Sequence, residues 1–424
     1  MTDVRPFRGL RYDPELVDLS QVIVPPYDVI TPAERIAFWD RDPHCAIRLI
    51  LTRDAGAEAA SDYADVARTL TAWCAEGVLI REAQPALYGL RQRFRAPDGS
   101  ERVREAFYGA LHLEDYARRV VRPHERTMSG PKADRLKLLR ATATNLSPIF
   151  LLYEDPDDKL AGVLAPAFDA GPTWSARDAA GTEHRLTRID DRAIVASVQR
   201  FLAERPVVIA DGHHRYETAL AHREACRASQ PGAGPAAPFE FTLGCFANAY
   251  SPGSLLLPIH RVIPGARLPE PEELAARLPG WRETRVPVAD AEAVSAALAE
   301  HLAPLAPGPA LAADDGSGTL RIFSRRASDG DLAIRVIHRE VVAGLLGLGE
   351  EAVRGGAIGY AKSTREAALE ARAGAGLVLY LNPLSPDDVF RVTGAGEILP
   401  QKSTFFVPKL PTGLVFRPLD EELR

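Results

Sequence analysis

Apolar residues return at helical spacing over Tyr63–Glu76, where Tyr63, Val66, Leu70 and Trp73 share one face and Gly77 supplies a stop. Alternation replaces that period over Ala86–Arg95, and the turn triplet Pro97-Asp98-Gly99 leads from it into Val103–Leu111, which predicts a hairpin. SPIFLLYED is a short apolar run ending in acids and Pro156, the mark of a buried strand. HRLTRID predicts another strand and Asp191–Arg200 a helix. Leu136, Leu139 and Ala143 fall on one helix face. The β-branched run Val207-Val208-Ile209-Ala210 leads through a polar turn into a helix expected to begin near Tyr216. QVIV before Val24-Pro25-Pro26, and later TLRIFSR, DLAIRVI, LVLYLNP and FFVPKL with GLVF, predict strands. Helices and strands mix without strict alternation, so the fold class expected is α+β rather than a doubly wound sheet.

Proline and glycine punctuate the rest. QPGAGPAAP predicts a surface loop before the strand FEFTLGCFA, and APLAPGPALAADDGSG is the best linker candidate because no period survives in it. A chain of 424 residues exceeds what one core usually holds. Two units are expected, 1–262 and 263–424, the second α+β with its last strands folding back over the site of the first.

Composition narrows the class. With 46% hydrophobic residues and 51 basic against 57 acidic side chains, the chain is too apolar and too balanced for disorder. Its net charge of −6 argues against binding nucleic acid through phosphates. No stretch reads as a signal peptide or a membrane span. Cys45, Cys74, Cys226 and Cys245 are scattered, which fits reduced thiols and a cytoplasmic setting.

The sharpest chemistry is Asp211-Gly212-His213-His214-Arg215. The glycine allows a tight turn at a strand end, and two imidazoles and a guanidinium at a helix start suit an anion, above all a phosphate. A second cluster runs His124-Glu125-Arg126-Thr127-Met128-Ser129-Gly130-Pro131-Lys132-Ala133-Asp134-Arg135; helix-start amides with Lys132 and Arg135 can hold a polyphosphate, although the spacing is not that of a Walker loop. Pro25-Pro26 make a rigid corner that presents Tyr27 and Asp28. Asp28 is either a general base or metal-binding carboxylate, or part of the turn before a helix capped by Thr31 and Glu34. Lys402 and Ser403 either contact phosphate or form a polar hairpin tip, and His260 with Arg261, and Arg8, are lesser candidates for a basic pocket. The remaining histidines (His44, His112, His184, His338) and the four tryptophans read as satisfied or packing residues.

Six blocks then acquire a joint meaning: RPFRGLRYD, VPPYDVI, HERTMSGPKADRLKLLRATATNLSPIF, ADGHHRYETAL, LPIHRV and ILPQKSTFF with PKLPTGLVF. Together they resemble the signature blocks of the family called domain of unknown function 1015, over essentially the whole chain. That family is similar to the ParB/sulfiredoxin superfamily, which includes nucleotide switches, sulfiredoxins and free-serine kinases. The resemblance implies a ParB-like mixed sheet with flanking helices and a nucleotide site. Gly212, His213, His214 and Arg215 would hold phosphates, with His124, Glu125, Arg126, Thr127, Lys132 and Arg135 adding to them. Asp211 would orient the turn or bind magnesium. Asp28 would take the early acidic position, where the serine kinases favour glutamate. The cofactors implied are ATP or ADP with Mg2+, and the reaction is phosphoryl transfer to a small hydroxylated metabolite such as free L-serine, with Asp28, Asp211, His213 and His214 as catalytic candidates. Two rival readings are a CTP- or ATP-sensing regulator and a metal-dependent phosphoesterase. No cysteine stands in the turn, which argues against sulfiredoxin chemistry.

Overall fold

The alternating runs form the expected hairpin, and it lies within a large mixed sheet. The computed structural model describes residues 1–125, 130–171, 173–328, 330–400 and 402–423. The chain divides into two units, Met1–Leu255 with Pro408–Arg424, and Leu256–Val407. No helix among the described residues is long and apolar enough to cross a membrane.

In chain order, the strands of the first unit's main sheet are Val4–Arg5 (β1), Leu87–Arg95 (β2), Glu101–His112 (β3), Val121–Pro123 (β4), Ile149–Tyr153 (β5), Thr173–Arg177 (β6), Glu183–Ile189 (β7), Val207–Asp211 (β8) and Phe241–Asn248 (β9). Their spatial order is β4-β8-β5-β9-β3-β2-β7-β6, with β1 also paired to β3. Two pairs are parallel, β4 with β8 and β5 with β9; the other pairs are antiparallel.

Alternation gives the sheet two different faces. Leu87, Phe107, Ile149, Leu151, Val207, Ile209 and Phe246 point into a core closed by three helices, Lys159–Ala170, Arg192–Ala203 and His213–Ser229, through Leu164, Phe168, Val198, Leu202 and Tyr216. The opposite face carries a row in direct register: Tyr88, Tyr108, Cys245, Phe150 and Asp211. Asp211 joins that row because the register of β8 shifts between Ile209 and Asp211. Strict alternation would have put it on the core side with Val207 and Ile209, so the bulge re-aims the carboxylate.

From Pro408 the chain returns to this unit as a strap; of the strands expected over FFVPKL and GLVF, the first is formed at Phe405–Val407, while the second is irregular and followed by the short strand Arg417–Pro418. Main-chain bonds tie Phe416 to Leu10 and Thr412 to Val24, both in each direction at 2.8–3.1 Å. Buried Arg417 donates to Asn145 Oδ1 and to the carbonyls of Phe241 and Pro238. Val24 thereby fixes the chain just before the Pro25-Pro26 corner. Of the strand expected over QVIV, Gln21 and Val22 instead close the short helix Leu19–Val22, which Asp18 caps by accepting from the Ser20 N–H at 2.9 Å, while Ile23 is extended and Val24 bridges Thr412.

The second unit holds a six-stranded antiparallel sheet of His260–Pro264 (β10), Trp281–Pro287 (β11), Ala310–Asp314 (β12), Thr319–Arg325 (β13), Gly359–Ala361 (β14) and Gly376–Leu381 (β15), ordered β11-β13-β12-β15-β10-β14. The linker expected over APLAPGPALAADDGSG is corrected here: Ala310–Asp314 is a wholly buried inner strand, its small side chains fitting between two neighbours. DLAIRVI is also corrected, to a helix over Ala333–Ile337 that continues as a wider turn to Leu345. Ile334, Val336 and Ile337 are buried there, and a seven-residue run could not separate that pattern from a strand.

Candidate functional site

The site is built where β8 stops. Asp211 ends the strand, and Gly212 follows at φ +92°, a left-handed conformation that side-chain-bearing residues adopt at a cost. It serves as N-cap, so the helix His213–Ser229 begins three residues earlier than the pattern around Tyr216 suggested. A Cβ on Gly212 would lie 2.9–3.0 Å from the Arg215 guanidinium, so that group folds directly over the glycine. Glycine at the N-cap brings no capping side chain to this 17-residue helix. Its first-turn N–H groups, which have no acceptor within the helix, open onto the same corner with the positive end of the helix dipole.

Two cations meet at the Asp211 carboxylate. Lys409 Nζ lies 3.5 Å and Arg215 Nη2 3.6 Å from Oδ2, while Oδ1 accepts from the Gly212 N–H at 3.0 Å. Burial pushes the Asp211 pKa up, but Lys409, Arg215 and the hydrogen bonds outweigh it and hold the group below the usual carboxylate range. Arg215 is steadied by a further bond to the Pro148 carbonyl. Lys409, in the strap, was not singled out from the sequence. Its signal is the pair of prolines at 408 and 411, which fix an extended backbone and present the lysine as Pro25-Pro26 present Tyr27.

The histidines differ from the expectation that they bring positive charge. His213 is buried, and its Nε2 accepts from the His124 main-chain N–H at 3.3 Å, so the ring proton sits on Nδ1, 3.6 Å from Glu125. Burial, then the positive surroundings of His124, His214, Arg215 and Lys409, hold its pKa well below the usual value. His124 donates from Nδ1 to the Ile209 carbonyl at 2.5 Å and packs edge-on against His213, ring centroids 4.6 Å apart; burial lowers it too. Both rings are neutral at pH 7 and fasten the 121–125 segment to the helix start. His214 is half-buried and lowered by burial, while the nearby carboxylates of Glu217, Glu125 and Asp28 oppose that shift and Lys132 reinforces it. Lys132 pairs with Glu217.

The Pro25-Pro26 corner supplies the remaining wall. Tyr27 carries the Arg135 guanidinium over its ring at 4.6 Å, and it is close enough to Arg215 and Asp211 for both to act on its hydroxyl. Buried Arg135 donates to the Ile50 carbonyl, to Tyr63 Oη at 3.1 Å and to Asp134, so its bonds brace this wall from within. Asp28 is exposed in the single turn Tyr27–Val29, and Thr31 with Glu34 forms a capping box on the following helix. Arg126 and Thr127 lie outside the described residues.

Five expected additions are not part of this cluster. Arg8 donates to the Glu82 carbonyl and pairs with Glu421 at 3.2 Å. His260, Arg261, Lys402 and Ser403 belong to the second unit, where His260 and Arg261 are interior and Ser403 donates to the Pro400 carbonyl. Asp211 does not fit a magnesium ligand, since two cations already lie against its carboxylate. Among the described residues, no three His, Cys, Asp or Glu side chains gather as a metal site.

A family model described as "Protein of unknown function (DUF1015)" matches residues 4–306. No curated protein matches the chain. Among solved structures it is similar to a free serine kinase in complex with ADP, at 15% identity and TM-score 0.32, covering 70% of this chain and 89% of that one. It is likewise similar to a conserved hypothetical protein from Pyrococcus furiosus (15% identity, TM-score 0.31, 70% and 92% covered). The third is C-terminally truncated SbnI from Staphylococcus aureus (12% identity, TM-score 0.32, 74% and 90% covered). These likenesses are remote.

Proposed function

From the premise that this chain belongs to the DUF1015 family, we propose that it is a cytoplasmic, nucleotide-dependent phosphotransferase acting on a small hydroxylated metabolite, with free L-serine the first acceptor to try and a ParB/sulfiredoxin-like ancestry for the site. One observation carries the reading: Lys409 and Arg215 converge on Asp211 beside a helix start whose N-cap is a glycine. Phosphoryl transfer requires charge neutralisation, in-line placement and a proton acceptor, with little covalent chemistry from the protein.

The residues divide those tasks. Asp211 keeps two cations poised until phosphate oxygens replace it as their partner. The first-turn amides and Lys132 complete the anion cradle, and His213 with His124 hold the helix start in place. The acceptor's hydroxyl oxygen attacks the terminal phosphorus; the new O–P bond forms as the bond to the nucleotide's bridging oxygen breaks, and the hydroxyl proton passes to Asp28. Half-buried His214, neutral at pH 7, stands beside that path as a second proton acceptor.

Purified protein incubated with ATP or ADP and a panel of hydroxylated metabolites, read by mass spectrometry, tests the reaction. A phosphorylated product that disappears in Asp28→Asn supports it. Calorimetry showing no affinity for ATP, ADP or CTP would sink it, whereas affinity without product would favour a nucleotide sensor.

A further inference from the structure

We infer that Asp178, His184, Gln92 and Arg104 form a positioning relay that grips the strap at Pro408–Lys409 and so presents the Lys409 ammonium to the corner. The inference rests on reading that corner as a phosphate site.

The relay follows from hydrogen-bond direction. His184 Nε2 donates to Asp178 Oδ2 at 2.9 Å, which leaves Nδ1 as an acceptor. Gln92 Nε2 donates to that nitrogen at 3.2 Å and to the Lys409 carbonyl at 3.3 Å. A carboxamide fixed this way turns its oxygen to the other side, where Oε1 accepts from Arg104 Nε at 2.9 Å and Nη2 at 2.5 Å. Arg104 Nη2 also donates to the Pro408 carbonyl at 2.6 Å. Two successive strap carbonyls are thus held by two side chains whose orientation is set, through His184, by one carboxylate.

Sheet register writes this arrangement into the fold. His184 lies opposite Gln92, and Gln92 opposite Arg104, so the three form one row across β7, β2 and β3. All three are 0% exposed. Arg104 stacks on Phe150 at 4.5 Å and, among the described residues, bonds only to carbonyl groups, with no carboxylate partner and with Nη1 unbonded. A buried cation with neutral partners is costly, and a well-packed apolar side chain would serve stability at least as well. What arginine adds here is the hold on the strap that carries Lys409.

The test combines Arg104→Met and Gln92→Leu with hydrogen exchange and ADP calorimetry. In the ligand-free protein, amide exchange over Lys409–Gly413 should accelerate more than about tenfold in either variant, while residues 213–229 keep wild-type rates. ADP affinity should fall about tenfold in each variant, yet fall no further when either change is added to Lys409→Ala. Unchanged exchange over 409–413, or an equal loss of ADP affinity with and without the Lys409 side chain, overturns the relay. If Arg104→Met fails to fold, Gln92→Leu decides alone, since it leaves the cation in place. A wild-type protein that binds no ADP refutes the phosphate reading, while exchange still decides the relay.

Discussion

Two places in this molecule set histidine beside arginine at the end of an apolar run, and they come to opposite ends. At Ala210–Arg215 the strand bulges, Gly212 turns left-handed, and the chain leaves the sheet, so successive polar groups collect at one helix start. At Ile259–Val262 the chain simply continues as β10, and His260 and Arg261 are buried on opposite faces. His260 accepts from the Leu381 N–H, while Arg261 bonds the Ile259 carbonyl and His338 Nε2 and stacks on Tyr360. Both stretches join imidazole to guanidinium, with two histidines in the first and one in the second. The backbone's departure from the sheet separates a site from an interior.

The largest expected effects are at the corner itself. Arg215→Ala and Lys409→Ala should each lower turnover about 10²–10³-fold, the scale of a lost electrostatic donor, as read by steady-state kinetics. Near-wild-type rates in both would erase the difference between the two regions. Next is Gly212→Ala, which sets a Cβ against the Arg215 guanidinium at a positive φ. It should destabilise the fold by about 1–3 kcal/mol in denaturant melts and weaken ADP binding in calorimetry. A variant as stable and as tight-binding as the parent would show that the left-handed turn is dispensable.

Much of this was legible in the sequence, for identifiable reasons. The hairpin, β5, β7 and the helix after Asp191 follow from periodicity and turn chemistry, because tertiary packing agrees with local pattern there. Gly212 announced the corner because few other residues tolerate its conformation. What stayed hidden depends on long-range geometry: the bulge that turns Asp211 over, the strap that delivers Lys409 across 198 positions, and the burial that leaves His124 and His213 uncharged. Ala310–Asp314 was misjudged because prolines and glycines mark only its entry and exit, and alanine has little strand preference to set against them.

A third, smaller effect uses protons to sharpen the contrast. Burial lowers both His260 and His338 to about 4, with Arg261 adding to the shift. In the unfolded chain these imidazoles titrate near about 6.5, so below that pH the unfolded state binds protons the folded state refuses. Their contribution is therefore complete above about pH 6.5 and is lost as pH falls toward about 4. His338→Gln retains an acceptor for Arg261 and removes one titration, so the fall in Tm between pH 7 and 4.5 should shrink. An undiminished fall would mean that other groups govern acid sensitivity.

The smallest expected effect is the most discriminating. Burial lowers Arg261 to about 10, and its partners are a carbonyl, a neutral imidazole and an aromatic face, with no carboxylate among them. Replacing such a cation with an apolar side chain of similar reach removes a desolvation cost, but it also leaves His338 Nε2 without its donor, and the two effects are of comparable size. Arg261→Met should therefore change stability by less than about 1 kcal/mol and leave ADP affinity untouched, whereas Arg215→Met, identical as a chemical change, abolishes measurable binding. Calorimetry on the pair decides the matter directly. If Arg261→Met weakens ADP as much as Arg215→Met does, a cation sealed in the second unit's interior contributes to binding as much as one at the corner, and departure of the backbone from the sheet is not what makes the site.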